Sequence, residues 1–310
     1  MKKILLPNGL NVSAVSLGAM NFGTTTSKEE SFRTLDTYMD IGGNFIDTSN
    51  NYAHWQGTGD ESETLLGEWF SERKGAREKV VLATKVGFDR HGEGQGLRKE
   101  QIEYWIDESL RKLKTDHIDL YYAHTDDVNT PLEETMEAFD RLVQKGKVLA
   151  LGSSNYDTWR LAEANITAKQ NGWTPYTVMQ QTFTYLHPNY KAAPKYAFNE
   201  LVTRERLRFL CDKDMPLVSY SCLCKGAYED PAKLPAAFDD SRMDFLLQMA
   251  KEKGVSPSAL VIAWLTNIHR CEGFPRVIPL FSCSSAHLVE NVKGLEINLT
   301  DEELELMNKA

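Results

Sequence analysis

Titratable side chains stand at the ends of three short apolar segments of the sequence. Asp47, Lys85 and His124 each close one such segment, and Tyr52 follows five residues after Asp47. A charged group beside buried apolar residues is costly unless it is paired with another polar group. Because equivalent ends of neighbouring strands meet at one edge, we expect these four side chains to form a single cluster.

Such a cluster contains the groups needed to move a proton to or from a carbonyl oxygen. A tyrosine phenol, with an ordinary pKa of about 10, is a poor acid at neutral pH, but a nearby ammonium lowers that pKa. A carboxylate beside the lysine keeps the ammonium charged and oriented. An imidazole can donate a hydrogen bond to a carbonyl oxygen. The set suits carbonyl reduction, or alcohol oxidation in reverse, with the hydride supplied by a cofactor.

Alternating strand and helix patterns predict the fold that positions this cluster. Asn8-Gly9 between two apolar runs is typical of a β-hairpin. Eight short apolar strands then alternate with helices, which is the pattern of an α/β protein with a (β/α)8 TIM barrel. The expected strands are 14–17, 44–47, 80–85, 118–122, 148–151, 177–181, 217–220 and 276–280. The expected helices include 200–213, 243–253 and 257–267. The sequence therefore predicts one domain over residues 1–310, with its active site where strands end and helices begin.

A doubly wound sheet is the alternative fold. Such sheets normally carry G-x-G-x-x-G after the first strand, and that motif is absent there. Gly92-x-Gly94-x-Gly96 has a different spacing, and we interpret it as a surface loop. The barrel is therefore the favoured architecture.

Composition limits the partners and the compartment. Of the 310 residues, 42% are apolar, and the net charge is −9, which argues against nucleic acid or an anionic membrane as the main partner. No apolar run approaches the length of a membrane span, and the basic start is too short for a signal peptide. The five cysteines are odd in number and lack metal-site spacing. We expect reduced thiols, no metal, a cytoplasmic protein and a small-molecule substrate.

At these residues the sequence resembles the aldo-keto reductase family, nearly from end to end. Phe45–Tyr52 is similar to the family's Asp-Thr-Ala-x-x-Tyr segment, and Glu61–Gly67 to the Ser-Glu-x-x-Leu-Gly helix that follows it. Lys85 and His124 match the family's third and fourth strand ends, and Gly152–Asn155 matches its Gly-x-Ser-Asn turn. The resemblance implies that the N-terminal hairpin closes the bottom of the barrel.

The resemblance also implies a role for each residue of the site. Tyr52 is expected to be the general acid, Lys85 to depress its pKa, Asp47 to pair with Lys85, and His124 to orient the substrate carbonyl. The nicotinamide amide is expected to contact Ser154, Asn155 and Gln180, with Tyr220 stacked on the ring. The remaining expected cofactor residues are Ser221, Leu223 and Lys225 at the pyrophosphate, and Phe281, Ser282, His287, Glu290 and Asn291 at the adenosine.

The adenosine end departs from the family pattern. The segment Ile278–Asn291 is one residue longer, and His287 stands where an arginine often clamps the 2′-phosphate. A neutral histidine discriminates for phosphate less well than a bidentate arginine. Serine hydroxyls and the N-terminus of the helix near residue 285 could partly compensate, and Asn291 and Glu290 are expected to recognise adenine. The resemblance favours NADP(H), and NAD(H) stays open.

Aromatic residues near the strand ends indicate the substrate class. Trp55 follows Tyr52 closely, and together with His124 these residues are the expected substrate contacts. Further aromatic residues that lie in loops or near strand ends are Trp173, Phe183, Tyr185 and Tyr228. Aromatic faces beside polar groups suit a sugar or a hydroxy-ketone, and so a place in carbohydrate metabolism.

Two other functions stay open at this point. A lyase or isomerase could use Lys85 as a Schiff base without nicotinamide, but such a lysine should be desolvated and free of a close carboxylate. A non-catalytic, cofactor-binding regulatory subunit would not need all of Asp47, Tyr52, Lys85 and His124.

Overall fold

Eight parallel strands closed into a barrel form the centre of the protein. The computed structural model describes residues 1–89, 92, 95–192 and 201–310. The strand order is closed because the last strand pairs with both the first and the seventh strand of the barrel. The barrel strands are β3 (Ser16–Gly18), β4 (Phe45–Asp47), β5 (Val81–Val86), β6 (Ile118–Ala123), β7 (Val148–Ser154), β8 (Tyr176–Thr182), β9 (Leu217–Tyr220) and β10 (Val277–Phe281). The predicted (β/α)8 barrel is confirmed.

Ten α-helices occur in the described part of the chain. They are α1 (Lys28–Asp40), α2 (Glu61–Glu72), α3 (Lys99–Leu113), α4 (Leu132–Gln144), α5 (Thr158–Asn171), α6 (Arg204–Asp212), α7 (Met243–Lys253), α8 (Pro257–Asn267), α9 (Ser285–Val292) and α10 (Asp301–Lys309). Short polar residues cap several of them. Ser27 accepts from the Glu30 amide at the start of α1, and Thr300 and Glu303 form a capping box at the start of α10. None of the described helices combines the length and apolarity needed to cross a membrane.

The N-terminal hairpin closes one end of the barrel, as predicted. Its strands β1 (Lys3–Leu5) and β2 (Asn11–Ser13) pair antiparallel around Asn8-Gly9. The hairpin residues Ile4, Leu6 and Val12 are buried in one apolar cluster with residues of the barrel interior. These interior residues are Phe45, Val81, Ala83, Leu120, Tyr122, Ala150, Val178, Val218, Ile278 and Leu280. The hairpin thus leaves the opposite end of the barrel for ligands.

Some expected boundaries differ from the structure. β7 continues to Ser154, so Gly152, Ser153 and Ser154 belong to the strand and not to a turn. α6 begins at Arg204 behind its Thr203 cap. The helix start expected at Glu200 lies outside the described residues, as does Gly94 of the glycine-rich loop.

The predicted Glu61–Gly67 segment forms the start of α2 and packs closely on α3. A Cβ at Gly67 would lie 2.0 Å from the carbonyl oxygen of Lys112, so only glycine allows α2 and α3 to pack this closely. In this arrangement the buried Glu63 lies next to β5, where its carboxylate accepts a hydrogen bond of 2.7 Å from Thr84. α2 therefore supports the strand that carries Lys85.

Candidate active site

Three of the predicted residues form one hydrogen-bonded group at the carboxyl ends of β4 and β5. Asp47 is the last residue of β4, Lys85 lies in β5, and both side chains are fully buried. The Lys85 ammonium donates to Asp47 Oδ1 and to the Tyr52 hydroxyl at 2.5 Å each, and to the carbonyl oxygen of Thr48 at 2.7 Å. An ammonium has three protons. All three are therefore engaged, which fixes the position of Nζ.

The electrostatics of Tyr52 differ from the expectation. Its hydroxyl donates to Asp47 Oδ1 at 2.9 Å. Burial first, and the Asp47 carboxylate second, raise the pKa of Tyr52 well above 10. The expectation of a lowered Tyr52 pKa is therefore wrong, because a phenolate would lie beside a buried carboxylate. Tyr52 keeps its proton at neutral pH.

The surroundings of Lys85 act on its pKa in two opposite directions. Burial lowers the pKa of Lys85 below its usual value of 10.5, while the carboxylates of Asp47 and then Glu63 act in the opposite direction. Pairing with Asp47 is the interaction that makes a buried cation tolerable here.

Gln180 donates a hydrogen bond to the second carboxylate oxygen of Asp47. Its Nε2 donates to Asp47 Oδ2 at 2.7 Å, so both carboxylate oxygens accept hydrogen bonds. Gln180 was expected at the nicotinamide amide, and the structure places its amide nitrogen on the carboxylate instead. Gln180 thus helps to hold the group that orients Lys85 and Tyr52.

His124 follows β6 and faces Tyr52. The two rings meet edge to face with centroids 5.9 Å apart, and the Phe88 ring also meets the His124 ring edge to face at 4.6 Å. The His124 Nδ1 atom lies 3.1 Å from the hydroxyl of Ser49. Burial, and then the charge of Lys85, hold the pKa of His124 well below 6.5. The imidazole is therefore neutral at pH 7.

Ser49 is a site residue that sequence reasoning missed. Its side chain is fully buried and joins His124 to the loop that carries Tyr52. The available signal was its position, since Ser49 follows Asp47-Thr48 directly, where the similar family segment has alanine.

The residues expected near the nicotinamide surround Asn155. The Asn155 Nδ2 atom donates to the His124 carbonyl at 2.9 Å and to the Ser154 hydroxyl at 3.2 Å. The Tyr220 hydroxyl donates to Asn155 Oδ1 at 2.9 Å. Gln181, which sequence reasoning missed, accepts from the Asn155 backbone amide at 3.0 Å. Ser154, Asn155 and Tyr220 are therefore linked to each other and to the His124 backbone.

The stretch after β9 turns through several residues with a left-handed backbone. Ser221, Cys224 and Lys225 have φ values of 53°, 47° and 55°, and Leu223 lies between them. The amides of Cys224 and Gly226 donate to the carbonyl oxygens of Ser221 and Leu223, so these two amides are engaged within the turn. Ser221 and Lys225 are exposed, and within the described part of the chain no carboxylate forms an ion pair with Lys225. The exposed hydroxyl and ammonium are donors that fit a diphosphate.

The start of α9 is occupied by groups of the protein itself. The Ser284 side chain accepts from the His287 amide and lies 3.1 Å from His287 Nδ1. The Ser285 amide and hydroxyl both donate to Glu30 Oε1, at 2.8 Å and 2.9 Å. These two bonds, amide first, lower the pKa of Glu30. An ionised carboxylate therefore sits at the helix end that was expected to help His287 hold a phosphate.

The other expected adenosine residues lie around this helix. Phe281 ends β10 and is buried, and the exposed Ser282 follows it. Glu290 is paired with Lys293 at 2.6 Å, whereas Asn291 is buried.

Three of the aromatic residues expected near the substrate differ in exposure. Trp55 is 59% exposed and meets the His54 ring edge to face at 5.4 Å. Tyr185 and Tyr228 are fully buried in the apolar core, so the expectation that they line the substrate is wrong. Both rings pack with other side chains of the core, and the Tyr228 hydroxyl bonds to Thr184 at 2.5 Å.

Within the described residues, no group of three or more potential metal ligands is found.

Comparison with known proteins agrees with this arrangement. The family model described as "Aldo/keto reductase family" matches residues 14–310. The chain is similar to norsolorinic acid reductase stcV of Emericella nidulans, with 32% identity covering 96% of this chain and 77% of the relative. It is 31% identical to the uncharacterized oxidoreductase YrpG of Bacillus subtilis, covering 97% of this chain and 92% of the relative. It is 28% identical to aryl-alcohol dehydrogenase [NADP(+)] of Phanerodontia chrysosporium, covering 97% and 83%.

Both the extent of these matches and the barrel with its N-terminal hairpin point to one conclusion. The chain belongs to the aldo-keto reductase family and is an oxidoreductase of that family.

Proposed function

We propose that this protein transfers a hydride between a nicotinamide dinucleotide and the carbonyl carbon of a small, sugar-like or related compound, with Tyr52 as the proton donor. The observation that carries the proposal is the Lys85 ammonium, which donates to both Asp47 and Tyr52 at 2.5 Å. This arrangement holds a protonated phenol at the end of the barrel where such enzymes bind substrates.

Each residue of the group has a defined task in this mechanism. The nicotinamide cofactor supplies the hydride when it is bound. Tyr52 carries the proton at its hydroxyl oxygen and gives it to the substrate oxygen. Lys85 donates to the same phenolic oxygen and so stabilises the negative charge that develops as the proton leaves. Asp47 and Gln180 keep the ammonium charged and in place.

The cofactor is proposed to run from Asn155 to the start of α9. Ser154, Asn155 and Tyr220 would hold the nicotinamide end, and the turn with Ser221, Leu223 and Lys225 would hold the diphosphate. Phe281, Ser282 and Asn291 would contact the adenosine. The exposed side chains of Ser221 and Lys225 support the diphosphate assignment.

For the choice of nucleotide we propose a preference for NAD(H). The family resemblance favours NADP(H), and one relative is named an NADP(+) enzyme. The charge at the start of α9 supports the opposite choice, because Glu30 already accepts both donors of Ser285. A 2′-phosphate at this end would meet the Glu30 carboxylate, whereas a ribose hydroxyl could donate a hydrogen bond to it.

The lyase alternative is less well supported. A lysine that attacks a carbonyl must become neutral and free. Lys85 has its three protons engaged and a carboxylate oxygen at 2.5 Å. The Asp47 carboxylate favours the charged form of Lys85, which works against attack on a carbonyl.

The proposed function is tested by replacing Tyr52 with phenylalanine. Tyr52→Phe keeps the ring and removes the proton donor, so kcat for reduction of small aldehydes should fall by about 10²–10⁴-fold. The dissociation constant of the reduced nucleotide, measured by fluorescence titration, should stay within about twofold, since no expected cofactor contact is removed. Tyr104→Phe, at a 60% exposed tyrosine on α3, is the matched control and should leave both values unchanged. Retention of most activity in Tyr52→Phe would show that another group delivers the proton.

A further inference from the structure

A buried carboxylate lies on the outer face of β5, between the strand and the helices that cover it. Glu63 of α2 is fully enclosed, and its Oε1 atom accepts a hydrogen bond of 2.7 Å from the Thr84 hydroxyl. Thr84 directly precedes Lys85 in β5, and successive side chains of a strand point to opposite faces. The Glu63 carboxylate and the Lys85 ammonium therefore lie on opposite sides of the same strand.

A second buried cation holds this carboxylate in its ionised form. The ammonium of Lys112, in α3, lies 3.8 Å from Glu63 Oε2 and also pairs with Asp60. Burial, with a smaller contribution from Asp60, raises the pKa of Glu63. The charge of Lys112, followed by the hydroxyls of Ser109 and Thr84, acts in the opposite direction. The pair with Lys112 thus favours the carboxylate.

Stability alone does not explain a charge at this position. A buried ion pair is often no more stabilising than apolar side chains of the same volume. In the described part of the chain, three enclosed atoms of this cluster have no hydrogen-bond partner, namely Glu63 Oε2, Ser109 Oγ and Tyr121 OH. Each such atom costs free energy. A protein keeps such costs where they serve its functional site.

We propose that Glu63 is a positioning residue for Lys85, whose charge acts across β5 and keeps the ammonium protonated beside Tyr52. In the proposed function, on which this inference rests, that ammonium stabilises the phenolate. Asp47 supplies the same support but lies against the phenol, where it raises the pKa of Tyr52 and so opposes proton loss. Glu63 is not among the main causes of that raised pKa. It therefore supports the cation at a smaller cost to the phenolate.

The pKa of Lys85 is the quantity on which Glu63 acts. Burial lowers this pKa below 10.5, and the carboxylates of Asp47 and then Glu63 oppose that effect. Three further titratable groups face the ammonium, and their shifted pKa values leave all of them uncharged at neutral pH: Tyr52, Tyr122 and His124. Removal of the Glu63 charge should therefore lower the pKa of Lys85.

This pKa is measured without turnover in the full chain labelled with ¹³Cε-lysine, from the pH dependence of the Lys85 carbon signal. Loss of the signal in Lys85→Met assigns it. In Glu63→Gln the titration midpoint should fall by about one pH unit, the effect of one charge acting at an effective dielectric constant of about 20. Glu63→Asp keeps the charge and should retain most of the wild-type midpoint. Glu68→Gln, at an exposed glutamate of α2 that pairs with Lys28, is the control and should leave the midpoint unchanged.

The pH profile of the reaction separates a charge effect from a loss of structure. Single-turnover reduction of glyceraldehyde by NADH should decline on the alkaline side at a pH about one unit lower in Glu63→Gln than in the wild type. At pH 7, where Lys85 is charged in both proteins, the two rates should agree within about twofold. A merely structural role would lower the rate at every pH.

A double variant covers the case in which Glu63→Gln does not fold. Glu63→Gln with Lys112→Met leaves neither charge of the pair on the outer face of β5. Its Lys85 midpoint should also fall, since Lys112 is not among the causes that shift the pKa of Lys85. A midpoint equal to that of the wild type in the variant that folds, or an equal fall in Glu63→Asp, would overturn the inference. If the wild type reduces no aldehyde, the proposed function fails, while the titration still decides whether Glu63 acts on Lys85.

Discussion

Replacing Lys85 with methionine removes the cation from the buried group at the centre of the site. Methionine keeps an unbranched apolar stem but leaves Asp47, which is fully buried, ionised without its ammonium. Gln180 and Tyr52 would remain as hydrogen-bond donors to the carboxylate. Because an uncompensated charge stays in the interior, the free energy of unfolding should fall by about 3–5 kcal/mol at pH 7.

This loss of stability is large enough to measure as a melting temperature. For a chain of 310 residues, an unfolding entropy of about 2.1 cal/mol/K per residue converts the loss into a decrease of about 5–8 °C. Calorimetry or far-UV circular dichroism of Lys85→Met against the wild type gives this value directly.

A double variant separates the charge from the lost packing. Lys85→Met with Asp47→Asn removes both charges and should recover most of the lost stability, since a neutral amide replaces the unpaired carboxylate. The single variant should therefore be less stable than the double variant at pH 7, where the buried carboxylate lacks its cation. Equal melting temperatures of Lys85→Met and wild type at pH 7, or equal losses in single and double variants, would refute this reasoning.

Two further variants test the ends of the ligand site. Glu30→Gln should change the ratio of the dissociation constants of 2′,5′-ADP and 5′-ADP about tenfold in favour of 2′,5′-ADP, measured by calorimetry, because the interaction of two charges near the surface is worth about 1–4 kcal/mol. Glu29→Gln, one residue away in α1, is the charge-matched control. An unchanged ratio in Glu30→Gln would place the phosphate elsewhere. Trp55→Ala should raise KM for sugar-like substrates by about 3–10-fold through loss of aromatic contact, with little change in kcat. Unaltered steady-state kinetics would remove Trp55 from the substrate site.

Local patterns were sufficient for most of the fold. β9, α7 and α8 have the predicted bounds, because apolar runs, caps and helical periodicity agree there. The end of β7 was missed because Gly152-Ser153-Ser154 has the composition of a turn. In the structure, a Cβ at Gly152 would lie 2.4 Å from the Tyr122 ring, so this glycine serves packing against the neighbouring strand. Such a contact cannot be read from the local sequence.

The site was predictable where it depends on strand ends and was missed where it depends on distant contacts. Asp47 and Lys85 could be expected to pair because both lie at the carboxyl ends of strands in one barrel. The bond between Glu30 and Ser285 joins residues 255 positions apart, and no local pattern indicates it. The pKa of Tyr52 was expected in the wrong direction because the sequence shows which charges are present but not how completely they are enclosed.

The direction of the Tyr52 pKa leads to a difference between the two directions of the reaction. Reduction needs the phenol, which the raised pKa of Tyr52 keeps present throughout the neutral range, and His124, with its lowered pKa, does not titrate there. Oxidation needs a proton acceptor, and the phenolate fraction grows about tenfold for each pH unit below the phenol pKa. Single-turnover reduction should therefore be independent of pH between 6 and 8, while kcat/KM for alcohol oxidation should rise steadily with pH. If oxidation shows no rise up to the limit of folding, or if Tyr52→Phe keeps the rise, the proton acceptor is a group other than Tyr52.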